Sequence, residues 1–236
     1  MNLASLMLLM VLCVGIVGLF SVWSLNRYHA RTQQALSEVS ATMHQARQAQ
    51  VHFKTQVQEW KNTLLRGHDL KDRATYVAAF EAQRSQTQSR LKELPAQLDR
   101  IAHSEALIKL KQGSDSAKLQ GVSIQMKDDA LQILAEFDAV NEIYRGALTE
   151  AQKDDGWNPR IADSIVRGAD RGLTERLDGI PVELARAHVD LGLLASREAA
   201  GRFETLSRVV WAVIIFALTM VALILWRILR HPALVK

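Results

Sequence analysis

Several acidic, basic and aromatic residues are spaced so that a helical chain would gather them into one layer. Counting back by heptads from Leu177 lands on Asp170 and then Asp163, so a continuous helix would set both carboxylates on its core-facing seam. A buried carboxylate cannot stay ionised without a partner. The cations at comparable depth are Lys54, Lys61, Arg84, Arg145 and Arg171, while Trp60, Tyr76, Phe80 and Tyr144 would supply aromatic walls. Arg66 falls on an outer helical position, where water can solvate it. Two chemistries fit such a layer. It would hold a small charged molecule between paired charges and rings, or it would fix helix register, as buried polar groups do in bundles.

Other chemistry has little support in the residues. The histidines at 29, 44, 52, 68, 103 and 188 form no pair one helical turn apart, and no cysteine neighbours them, so no metal ligation is expected. No serine–histidine–acid arrangement and no glycine-rich phosphate loop is present, and no enzyme or cofactor is expected. Gly168 and Gly172 form a GxxxG among charges rather than in an apolar stretch, so it is not a membrane dimer motif. Asp154, Asp155 and Gly156 lack the remaining ligands of a calcium loop. The formal net charge of +4 mixes both signs along every helical stretch, without a basic run interleaved with aromatics, which argues against nucleic acid as a partner.

Long helices must position the layer. Leu36, Met43, Gln50, Val57 and Leu64 recur by heptads, with Val39, Ala46, Phe53, Trp60 and Gly67 as the companion series. Gly67 then offers a stop before a short connection, His68 to Lys71. A second helix is expected from near Asp72, with Phe80, Thr87, Leu94, Ile101 and Ile108 on one seam and Val77, Arg84, Leu91, Leu98 and Glu105 on the other. Pro95 should bend it without ending it, because the period survives the proline. The next turn is expected at Gln112–Asp115, with Asp99–Ser104 as the alternative. The third helix uses Leu119, Met126, Ile133, Val140 and Ala147 together with Ala130, Phe137, Tyr144 and Ala151, and ends near Gly156. Asn158 before Pro159 reads as an N-cap followed by proline at the first helical position. The fourth helix would then carry Val166, Leu173, Ile180, Ala187 and Leu194 with Leu177, Leu184 and Leu191, and run into the second span with a bend near Gly179–Pro181.

Two apolar runs bracket these helices. Met1 to Asn26 carries no charge, and Val209 to Trp226 is uncharged between Arg208 and Arg227. Each is long enough to cross a hydrocarbon core of about 30 Å. The first lacks the basic leader and small-residue cleavage site of a signal peptide, so it reads as a retained anchor. Arg227, Arg230 and Lys236 favour a cytoplasmic tail, which puts both termini inside and the middle region outside. The single cysteine, Cys13, lies in the first run, so the middle region must hold together without disulfides. The expected fold is all-α: a membrane-anchored up-down-up-down four-helix bundle flanked by two transmembrane helices. Its divisions are a first span at 1–26, an extracytoplasmic bundle at 27–208, a second span at 209–228 and a tail at 229–236. The turns at Gly67 and Gly156 then lie far from the membrane, with Trp60 about 10 Å and Asp170 about 16 Å below that tip at the usual helical rise.

The stretch Gln56 to Gly67, with Phe53 and Lys54, resembles the first-helix signature of bacterial methyl-accepting chemotaxis receptors and related membrane sensors. A second set matches further on: Tyr144-Arg145, Ala147-Leu148, Asp163, Val166, Gly168, Asp170 and Arg171. The resemblance covers roughly residues 1 to 230, the sensor half of such a receptor. It implies a homodimer in the bacterial inner membrane and an unidentified small-molecule ligand taken up in the distal part of the bundle. It also implies a signal carried as a shift of the fourth helix against the first, through the second span. A chemoreceptor continues into a methylated coiled coil, whereas a short tail follows Arg230 here. The expectation is therefore a truncated receptor or a protein that pairs with full-length chemoreceptors. The alternative class is a membrane-anchored structural or interaction protein that senses nothing.

Overall fold

The computed structural model describes residues 3–104, 114–153 and 156–230, and none of them lies in a strand. Five helices account for nearly all of them: α1 (Leu3–Arg66), α2 (Leu70–Ala102), α3 (Ser114–Ala151), α4 (Pro159–Val166) and α5 (Arg171–Arg230). The chain divides into a middle unit, Gln34–Gly192, and a terminal unit formed by Met1–Gln33 with Leu193–Lys236.

In the middle unit, contacts along each helix pair show the directions of the chain. Going up α1, Gln45 bonds Glu93 at 2.6 Å, His52 bonds Gln83 at 2.8 Å and Arg66 bonds Tyr76 at 2.9 Å, so α1 and α2 run in opposite directions. Between α2 and α3 the partners are Asp99 with Lys127 at 2.6 Å, Gln88 with Asp138 at 2.9 Å and Glu81 with Arg145 at 3.8 Å, again antiparallel. Arg176 of α5 grips Glu136 of α3, and Gln50 and Lys54 of α1 both hold Asp178 of α5, at 2.7 and 2.9 Å.

The core follows the heptads, with one difference in α1. Val39, Ala46, Phe53, Trp60 and Gly67 are buried as expected, but Leu36, Met43, Gln50, Val57 and Leu64 are only half-buried. The second buried row is Ala35, Thr42, Ala49, Gln56 and Thr63, one residue earlier. Helix α1 is flanked by both α2 and α5, so its buried stripe is wider than a coiled-coil seam. Short side chains in the added row let the neighbours approach closely. Helices α2, α3 and α5 keep their expected seams at Phe80, Thr87, Leu91, Leu94, Leu98, Ile101, Met126, Ile133, Phe137, Val140, Leu177, Ile180, Leu184 and Leu191. Val77 and Arg84 are half-buried rather than core.

Local signals explain the ends. Asp69 caps α2 by accepting from the amides of Lys71 and Asp72 at 2.8 and 3.1 Å. Pro95 and Pro181 both sit inside helices that continue past them. Helix α2 ends at Ala102, within the alternative turn Asp99–Ser104, and α3 begins at Ser114, within the preferred one. Ile108, Glu105, Gln112 and Gly113 lie outside the described residues. At the α1 end, a Cβ on Gly67 would come 2.3 Å from the Thr63 carbonyl oxygen and 3.1 Å from the Trp157 ring. That ring also carries the Arg73 guanidinium 4.9 Å from its centroid. Asn158 caps α4 with Pro159 at its start, as expected.

One sequence expectation is overturned here. The fourth helix is not continuous: α4 stops at Val166, Gly168 takes φ 81°, and α5 starts at Arg171. Only a residue without a Cβ enters that left-handed region without strain.

In the terminal unit, helical stretches within Val11–Arg66 and Arg171–Leu223 are long and apolar enough to cross a membrane, with mean hydropathy reaching 1.4 and 2.2. Leu19, Phe20, Trp211, Ile215, Phe216 and Leu218 point outward, which suits a lipid environment rather than water. Arg27 lies over Trp23 at 5.1 Å and Arg230 over Trp226 at 4.6 Å, the cation-and-aromatic pairing favoured at membrane interfaces. Tyr28 donates to the Ala195 carbonyl at 3.0 Å and lies beneath Arg202, 4.7 Å from its ring centroid, which ties α1 to α5 within this unit.

Candidate functional site

The aromatic part of the layer is built by three helices. Trp60 of α1, Phe80 of α2 and Tyr144 of α3 form a closed trio with centroid separations of 5.8, 4.9 and 5.3 Å and tilted or edge-on planes. Their exposures of 4%, 4% and 1% mean that the rings fill the layer themselves. Edge-on aromatic pairs add about 0.5–1.5 kcal/mol each beyond burial, so the trio is a strong anchor. Deeper along α1, Phe53 meets Phe137 edge-on at 6.0 Å.

The polar edge of the trio is the Tyr144 phenol, which faces the Asp170 carboxylate. Burial pushes the phenol's pKa well up, and the negative charge of the Asp170 carboxylate, toward which the hydroxyl donates, pushes it further. The break between α4 and α5 delivers Asp170 to this spot. Asp170 caps the first turn of α5, its carbonyl accepting from the Thr174 amide at 2.9 Å.

The expected cations go elsewhere. Lys54 binds Asp178 at 2.9 Å, Arg84 binds Glu81 at 2.5 Å, and Arg145 binds Glu142 at 2.8 Å and approaches Glu81 at 3.8 Å. Lys61 and Arg171 are exposed, and Arg66 is exposed with its guanidinium on the Tyr76 hydroxyl. Tyr76 is half-buried and stands apart from the ring trio. Among the described residues Asp170 has no salt-bridge partner. It is only partly buried, so water and the phenol together can support its charge.

Asp163 is the clear correction. Its side chain is 49% exposed and pairs with Arg167 at 2.6 Å, one turn on and just past the end of α4. The core positions of α4 are Ala162 and Val166. The heptad count that placed Asp163 inside assumed an unbroken helix, and the break at Arg167–Asp170 resets the phase. Trp60, Phe80, Tyr144 and Asp170 are thus brought together, while Asp163 and the basic residues are not.

Two polar features were missed in the sequence. Gln56, fully buried, donates at 2.6 Å to Asn141, which is 2% exposed and itself donates to the Phe137 carbonyl at 2.6 Å. The carbonyl can only accept, which fixes both amide orientations and leaves the Gln56 Oε1 without a protein partner. The heptad row Thr42, Ala49, Gln56, Thr63 was the available signal for Gln56. The second is Asp178. Burial alone would raise its pKa, but hydrogen bonds from Gln50 and Lys54 and the Lys54 charge hold it below the ordinary carboxylate value.

No protein-family model matches this chain, and no solved structure matches it. Among curated proteins it is similar to Methyl-accepting chemotaxis protein CtpH of Pseudomonas aeruginosa, at 27% identity over 140 residues, 59% of this chain. The match takes in 20% of that receptor's length. At this distance the match supports a chemoreceptor-like relationship for the all-helical chain.

Proposed function

We propose that the protein is a membrane-anchored chemoreceptor-like sensor whose middle unit is an up-down-up-down four-helix bundle on the outer face of the bacterial inner membrane. Two apolar helices anchor it, and both termini lie in the cytoplasm. A small extracytoplasmic molecule is recognised at the distal layer, where the Tyr144–Asp170 pair gives the aromatic trio a charged rim. That pair is the observation that carries the reading, because it is a carboxylate held beside a protonated phenol at the start of a helix that contains the second apolar stretch. Binding that alters the pair would bias α5 between two packings, and the change would pass along α5 as a population shift. The working unit is a homodimer, or a pairing with full-length chemoreceptors. No catalysis or cofactor is involved.

A second reading has a specific observation behind it. Lys54 already holds Asp178 of α5 and Arg145 approaches Glu81 of α2, which suits a layer that sets register in a non-sensing scaffold. Thermal unfolding of the full chain in lipid nanodiscs, screened against amino acids, organic acids and amines, separates the two. A sensor gains melting temperature with at least one compound, by mass action. Tyr144→Phe or Asp170→Asn then reduces that gain. A scaffold gives no shift with any of them, while Asp170→Asn lowers its melting temperature without a compound.

A further inference from the structure

Away from the distal layer, α3 and α5 part to leave a cleft of about 280 Å³. From α3 it is lined by Val122, Gln125 and Met126. From α5 come Ala187 and, at successive helical turns, Glu183, Arg186 and Asp190. Met126 is buried and Ala187 half-buried, which makes the floor apolar.

Charged side chains surround this floor. Elsewhere in the middle unit four ion pairs join neighbouring helices: Lys54 with Asp178, Lys127 with Asp99, Arg145 with Glu81, and, on this same α3–α5 seam, Arg176 with Glu136. Glu183, Arg186 and Asp190 make no hydrogen bond or ion pair among the described residues. This holds although Glu183 and Arg186 are three apart and Arg186 and Asp190 four apart, the spacings at which helical side chains ordinarily meet. Among the described residues the cleft therefore offers two carboxylates without a partner, on positions about 10 Å apart along the α5 axis, with an equally unpartnered guanidinium between them.

We infer that this cleft is a binding site for a small dibasic zwitterion, of the class of free lysine or ornithine. A ligand with two ammonium groups and one carboxylate is the charge complement of two carboxylates and one guanidinium. The ammonium groups reach Glu183 and Asp190, the carboxylate takes Arg186, and the alkyl chain between them covers Met126, Ala187 and Val122. A monoamine leaves one wall charge unmet, and a diamine without a carboxylate brings cations against Arg186. The site is independent of the distal layer.

Calorimetric titration of free lysine into the full chain in nanodiscs tests this, with norleucine, cadaverine and glutamate as comparison probes. Saturable lysine binding is expected, weakened about tenfold or more in each of norleucine and cadaverine, and absent for glutamate. Glu183→Gln, Arg186→Gln and Asp190→Asn, all surface substitutions, should each weaken lysine by about tenfold, while Tyr144→Phe leaves it unchanged. The inference is overturned if lysine does not saturate, if cadaverine binds as well as lysine, or if the three cleft variants bind as wild type does. Lysine binding lost in Tyr144→Phe but kept in the cleft variants also overturns it, and would place the ligand in the distal layer instead.

Discussion

Tyr144 and Asp170 face each other across α3 and the start of α5, and their energetics can be read by titration. The folded state keeps the Tyr144 phenol protonated above its ordinary pKa of about 10. Stability from this group is therefore complete below about pH 10 and is lost as pH rises past it toward the raised folded value. Tyr144→Phe should flatten the fall of melting temperature between about pH 9.5 and 11 relative to wild type. Equal slopes would mean that the phenol is neither buried nor beside a carboxylate in the folded protein. Much of this site was legible beforehand. Trp60, Phe80, Tyr144 and Asp170 came from counting depth below the turns, which works because helical rise is constant. Asp163 was misplaced because one glycine with φ 81° breaks the count, and no periodicity marks such a break in advance. The cations were misassigned for another reason: Arg84 and Arg145 meet carboxylates one turn away on their own helices and Lys54 one on α5, and sequence depth does not say which carboxylate is nearest.

Helix identity and direction were the most readable features, since heptads and caps are local. The details that escaped were those set by neighbours. Helix α1 buries an extra row because two helices flank it, and that row brings Gln56 against Asn141. Removing one partner strands the other: Asn141→Leu should cost about 1–3 kcal/mol by leaving the buried Gln56 amide with no partner at all. Gln56→Leu with Asn141→Leu should recover most of that, because both polar groups are then gone. Chemical unfolding of the four proteins of this cycle gives the coupling, and a double variant as unstable as the single one would refute the bridge. The α4–α5 break makes its own prediction. Gly168→Ala has open space for its methyl but forces a left-handed backbone, and should destabilise by about 1 kcal/mol. A neutral effect would mean that the break relaxes without glycine.

At the scale of the molecule, the account depends on where the middle unit lies. Apolar side chains project from the start of α1 and the end of α5, and the distant similarity to a chemotaxis receptor supports a chemoreceptor-like relationship. Everything proposed about an extracytoplasmic ligand requires the rest of the chain to face outward. Val51 of α1 and Leu131 of α3 are exposed, at 58% and 48%, and serve as reporters. With Cys13→Ser as background, Val51→Cys or Leu131→Cys should react with a membrane-impermeant maleimide in intact cells once the outer envelope is opened. Labelling only after the inner membrane is broken would place the middle unit in the cytoplasm and contradict extracytoplasmic sensing.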